Sequence, residues 1–106
     1  MPASAFITAV QPNFDSALAV VPTSDAAVPG ATNGLPLWLA GISFANANAN
    51  QRTVRVTNGT GDTILPDVAV PGNSEVSLGP WNMRPMVGLR WSASASGING
   101  HAWGWQ

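Results

Sequence analysis

The stretch Arg52-Thr53-Val54-Arg55-Val56-Thr57-Asn58-Gly59-Thr60-Gly61-Asp62-Thr63-Ile64-Leu65 alternates and then turns. Val54 and Val56 fall on one side of an extended backbone and Thr53, Arg55 and Thr57 on the other, the period-two pattern of a half-buried strand. Asn58-Gly59-Thr60-Gly61-Asp62 then offers residues that tolerate positive φ, and Thr63-Ile64-Leu65 begins a return strand. A β-hairpin is predicted, and with it an antiparallel sheet in the middle of the chain.

Upstream of the hairpin, Leu37-Trp38-Leu39-Ala40-Gly41-Ile42-Ser43-Phe44 is nearly continuously apolar, as a central strand is. Its alternation places Trp38, Ala40, Ile42 and Phe44 on one face. A short loop, Asn46 to Gln51, leads on to the hairpin. Downstream, Pro71-Gly72-Asn73 separates Val68-Ala69-Val70 from Val76-Ser77-Leu78 and predicts a second hairpin. After the Trp81-Asn82-Met83-Arg84-Pro85 connection, Val87, Leu89, Trp91 and Ala93 alternate with Gly88, Arg90, Ser92 and Ser94. Gly97-Ile98-Asn99-Gly100 turns into a last strand, His101-Ala102-Trp103-Gly104-Trp105. With nine Pro and eleven Gly spread along its length, the chain leaves little room for long helices. Short strands at regular spacing predict an all-β fold, a small antiparallel β-sandwich or small barrel.

Residues 1–34 read as an extended N-terminal arm, rich in Ala, Val, Pro, Ser and Thr. Short strands are expected at Ala5 to Val10 and Ala17 to Val21. Asp15 to Val21 reads equally as a helical turn, since Asp15-Ser16 can cap and Ala-Leu-Ala favours helix. The sandwich then occupies 35–106. At 106 residues the chain forms one domain, because a second would be too short to bury a core.

Composition narrows the function. Four Arg, no Lys and five acids make only 8% of the chain charged, against about 25% for an ordinary soluble domain. Interspersed charge keeps free domains apart in solution, so this surface suits a building block covered by partners better than a diffusing enzyme. Four scattered Arg and a net charge of −1 make no basic stripe, which argues against nucleic acid. With no Cys, disulfides, iron–sulfur clusters and thiol catalysis are excluded. The opening Met1 to Val10 has no positive n-region, and no apolar window is long enough to cross a bilayer, so no membrane association is expected. Asn58-Gly59-Thr60 is also a glycosylation sequon, read here as turn chemistry.

No enzymatic signature stands out. His101 is the single His, and a metal needs three or four converging ligands, so no metal and no cofactor is expected. It is read as a strand residue hydrogen-bonded to backbone or water. Ser, His and Asp are all present, yet no Ser lies in a Gly-x-Ser-x-Gly elbow. Asp62 and Asp67 look like turn acids rather than a glycosidase pair. Gly59-Thr60-Gly61 lacks the Lys and helix of a phosphate loop.

Five Trp in so short a chain demand an account. Trp38 and Trp91 lie in phase with aliphatic residues and are expected in the core. Trp103 and Trp105 share a face with His101 and read as core, as sugar platform or as subunit interface, a setting enriched in Trp. In the arm, Phe6, Ile7 and Phe14 are expected to dock on a neighbouring subunit, since disordered tails are poor in such residues. The candidate interface is thus Phe6, Ile7, Phe14, Trp103 and Trp105.

From Leu35 to Trp105 the chain resembles small virion proteins of tailed bacteriophages. The resemblance rests on the Leu-Ala-Gly-Ile-Ser-Phe and Thr-Val-Arg-Val strands and on the hairpin loop followed by Ile64-Leu65-Pro66. It continues through Val70-Pro71-Gly72-Asn73-Ser74, the Val-Ser-Leu strand and Gly88-Leu89-Arg90-Trp91-Ser92-Ala93-Ser94. It implies a non-enzymatic β-sandwich or jelly-roll structural protein of the head decoration or accessory type, with no catalytic residues. Such a protein would associate with itself and with the major capsid or another virion protein. It would be made in the cytoplasm of the bacterial host and end in the virion. The alternative is a carbohydrate-binding module that holds polysaccharide on surface Trp residues.

Overall fold

The structure, a computed structural model, describes residues 13–31, 35–79 and 85–106. Every regular element among them is a strand: β1 (Asn13–Asp15), β2 (Ala19–Val20), β3 (Ala26–Ala27), β4 (Pro36–Asn46) and β5 (Arg52–Asn58). After the turn come β6 (Thr63–Val70), β7 (Ser74–Leu78), β8 (Met86–Val87), β9 (Leu89–Ala93) and β10 (Ile98–Trp105). All pairings are antiparallel.

The pairings follow one rule. Val54 faces Val68, Phe44 faces Val76, Ala26 faces Trp91 and Phe14 faces Gly104, so partners recede in step from the turn at Gly59–Gly61. The chain is one long hairpin folded at that turn. The hairpin is then rolled up, which brings β10 onto β4 and β9 onto β5. The first sheet has β10 and β4 at its centre, β1 and β2 beside β10, and β7 and β8 beside β4. The second has the order β3-β9-β5-β6. A rolled antiparallel hairpin forming two packed sheets is a jelly roll, a β-sandwich rather than a barrel.

The turn that starts the roll forms as its residue types dictate. Asn58 N–H donates to the Asp62 carbonyl at 2.9 Å and Gly61 N–H to the Asn58 carbonyl at 3.1 Å, with Gly61 at φ 93°. This is the three-residue hairpin loop that requires a left-handed residue in its third place. The Asn58 side chain fixes it further, its Oδ1 accepting from the Thr60 and Asp62 amides.

The core lies between the sheets. Phe14, Leu37, Leu39, Ile42, Phe44, Ile98 and Ala102 enter from the first, and Val54, Val56, Val70, Leu89, Trp91 and Ala93 from the second. Trp91 is 1% exposed and meets Phe44 edge-on, with ring centroids 6.1 Å apart. A Cβ at Gly100 would collide with its six-membered ring, so the absence of a side chain there makes room for the indole.

Three expectations are corrected. The second hairpin does not form: β7 leaves β6 and pairs with β4 in the opposite sheet. The Pro71-Gly72-Asn73 turn docks on the preceding loop, with Asn73 N–H donating to the Asn48 carbonyl at 2.8 Å, and so carries the chain across the sandwich. Trp38 and Ala40 do not share a face with Ile42 and Phe44. Gly41 faces Trp103 but Leu39 faces Gly104, so β4 carries an extra residue, a β-bulge. Leu37 and Leu39 are therefore buried before the bulge and Ile42 and Phe44 after it, while Trp38 is half-buried on the other side. Val87 is likewise out of phase with Leu89. Gly88 turns at φ 84°, and Val87 pairs with β4 and stays exposed.

Within the arm, Ala19–Val20 is strand rather than helical turn, and β1 to β3 line the edges of both sheets. The strand expected at Ala5 to Val10 lies outside the described residues, as do Phe6, Ile7 and Trp81.

Candidate functional site: an aromatic groove on the outer face of the first sheet

β10 alternates cleanly. Ile98, Gly100, Ala102 and Gly104 are buried, which turns His101, Trp103 and Trp105 outward together. The bulge in β4 adds Trp38 to that face, directly opposite Trp105 in register. Gly41 makes the arrangement possible. It sits opposite Trp103, and a Cβ on it would run into the indole, so the ring covers the bare backbone of β4. The result is a groove of about 480 Å³ lined by Phe14, Asp15, Ala40, Ser43, His101, Trp103, Gly104 and Trp105.

A polar cluster borders the indoles. His101 Nε2 lies 2.7 Å from Asp15 Oδ1, and the same oxygen accepts the Ala17 amide at 2.8 Å. Ala17 takes φ 54° to close that small loop. Ser16 bonds to both backbone groups of Ala102: its N–H donates to the carbonyl, and its Oγ accepts from the amide, each at 2.9 Å. β1 is thereby locked against β10. The Ala17 amide, and after it the His101 hydrogen bond, hold the Asp15 carboxyl below its ordinary pKa. His101 also leans on Trp103, with centroids 5.0 Å apart. The expected backbone or water partner of His101 is thus corrected to a carboxylate 86 positions away.

Because the folded pKa of Asp15 is depressed, its stabilising contribution is fully present above the ordinary carboxylate range and is lost as pH falls through the lowered value. Thermal melting across the acid range is expected to show a steeper loss for the native chain than for Asp15→Asn. Parallel curves would show that the carboxylate does not hold β1.

Ser43 pairs with His101 across the strands, so Ser, His and Asp do converge on this face. No hydrogen bond joins Ser43 to the imidazole among the described residues, so the Ser-to-His link of a hydrolytic triad is not formed in this structure. Asp15 and His101 offer a metal two ligands, and no group of three or more His, Cys, Asp or Glu occurs among the described residues.

The opposite face of the sandwich differs in kind. Thr53, Arg55, Thr57, Arg90, Ser92 and Ser94 project from the second sheet. Arg55 pairs with Asp67 at 3.1 Å and Arg90 with Asp25 at 2.7 Å, both exposed. All the described arginines stand on the second sheet, whereas the first carries the outward-facing indoles together with the acids Asp15 and Glu75. The strongly exposed apolar side chains Leu18, Val20, Leu35, Val87 and Trp105 all lie on strands of the aromatic sheet or beside them.

Of the residues expected to form an interface, Trp103 is half-buried and Trp105 is 39% exposed, both on this face. Phe14 is 1% exposed and belongs to the core of its own chain. Trp91 is core as expected, whereas Trp38 is not. The roles of Ser43 and Asp15 in the groove had no local signal, since neither stands in a motif. Compared with known proteins, the chain matches no family model, no curated protein and no solved structure.

Proposed function

We propose that this protein is a non-enzymatic structural subunit that associates with itself and with a larger lattice through the outer face of its first sheet. The decoration or accessory proteins of a phage virion are the class its strand pattern resembles. The carrying observation is the inequality of the two outer faces. The ion pairs Arg55–Asp67 and Arg90–Asp25 dress the second sheet, while Leu18, Val20, Leu35, Val87 and Trp105 are left exposed at the first, beside the acids Asp15 and Glu75. Exposed large apolar side chains gathered on one sheet are a mark of interaction sites. A partner that binds only the folded form also raises its stability by mass action, which suits a short chain without disulfides.

Quantitative mass spectrometry of gradient-purified phage particles from the source culture tests the virion reading. Hundreds of copies per particle are expected of a decoration protein, and absence from the particles overturns it. Sedimentation tests the surface. Trp105→Ala and Val20→Asp are expected to weaken self-association by about tenfold or more each, the scale of a hot-spot residue. Neither should lower the melting temperature much, because both side chains are exposed. Loss of folding in step with association would place them in the core instead.

A further inference from the structure

We infer that the groove between Asp15, His101, Trp103 and Trp105 binds a neutral oligosaccharide. The inference is independent of the assembly reading but shares Trp105 with it, so it concerns the subunit whose first sheet is uncovered.

The groove asks for an occupant that is apolar on one side and hydroxyl-bearing on its rim. The exposed indole of Trp105 and the half-buried one of Trp103 supply flat apolar surface. Beside them, Asp15 Oδ2, His101 Nδ1 and Ser43 Oγ have no hydrogen-bond partner among the described residues. A purely aliphatic occupant would strip water from all three and return nothing, which is costly. A pyranose ring stacks its C–H face on an indole and offers hydroxyls that both donate and accept. Asp15 Oδ2 is a pure acceptor for such a hydroxyl, whereas Ser43 serves either way.

Charge selects the neutral class. The sequence has no Lys, and the described arginines stand on the second sheet's strands, with Arg55 and Arg90 already paired to acids. A uronic or sulfated glycan would meet the Asp15 carboxylate with no Lys or Arg in the groove lining to answer it. A peptide strand finds no free edge at β10, which along the groove is paired with β1 on one side and with β4 on the other. The volume, about 480 Å³, falls in the range of small-ligand sites. The walls are preorganised. Trp103 is seated on Gly41 and Asp15 is tied to His101 and Ala17, so little side-chain freedom remains to be lost on binding.

The test titrates the full chain with neutral hexasaccharides of β-1,4-glucose, α-1,4-glucose, xylose, mannose and N-acetylglucosamine. Tryptophan fluorescence and amide NMR shifts are read, with a galacturonic acid hexamer and tetramethylammonium as comparators. At least one neutral hexasaccharide is expected to saturate in the millimolar range or tighter, with shifts confined to the groove. Trp105→Ala and Ser43→Ala should each weaken it, the former by about tenfold, without moving the melting temperature. Three results overturn the inference. They are no saturable shift with any hexasaccharide, binding unchanged in Trp105→Ala, and a response to tetramethylammonium alone, which would make the groove a cation site. Because the titration is run on dispersed subunits, its failure leaves the sedimentation result standing, and the reverse.

Discussion

Trp91→Ala is expected to cost about 3–5 kcal/mol of stability, the scale of deleting a buried aromatic side chain. Trp91 is 1% exposed between the sheets, against Phe44 on one side and the bare backbone of Gly100 on another. Both of those neighbours sit on strands of the facing sheet and cannot collapse into the space without bending it. Trp91→Phe is expected to cost well under half as much. The indole Nε1 is buried without a hydrogen-bond partner, so the native residue already bears a dehydrated donor that Phe removes. Urea unfolding distinguishes the two through the midpoint at constant slope. A loss for Phe well above half that for Ala would mean that the N–H is satisfied, by a buried water for example.

Asn46→Ala is expected to cost about 2–3 kcal/mol, because a buried backbone group left without its partner bears its full desolvation penalty. Asn46 is 3% exposed, and its amide does three things at once. Nδ2 donates to the carbonyls of Asn50 at 2.9 Å and of Val70 at 3.0 Å, and Oδ1 accepts the Asn48 amide at 2.8 Å. It therefore ties the end of β4 to the end of β6 in the other sheet and shapes the loop between them. Asn46→Asp should be worse than Ala near neutral pH, since a carboxylate would face two carbonyl oxygens. That variant's acid is raised in the folded state by burial and by those oxygens. Its deficit is therefore present at high pH and shrinks as pH falls and the acid becomes a donor. Denaturation at two pH values checks this, and a deficit independent of pH would show that the site opens to water.

These two residues mark different degrees of legibility. Trp91 was readable as core because it stands in step with Leu89 and Ala93, and period-two alternation is a property of a few consecutive residues. Asn46 was not, since nothing local distinguishes it from Asn48 and Asn50 in the same run. What singles it out is the Val70 carbonyl, 24 positions along the chain. Trp38 shows the same limit from the other side. Its alternation with Ile42 and Phe44 was real in the sequence, but a bulge adds one residue to β4 and reverses every face before it.

The short antiparallel strands, the place of the hairpin turn and the scarcity of charge are all legible in the chain before it folds. Those properties reside in alternation, turn chemistry and composition, all of which act over neighbouring residues. Long-range packing decided that the hairpin is rolled rather than stacked as two hairpins. It likewise decided that the indoles face outward and that Asp15 meets His101. Each of these depends on register between segments far apart in the chain, and register is set by how the two sheets close on a shared core.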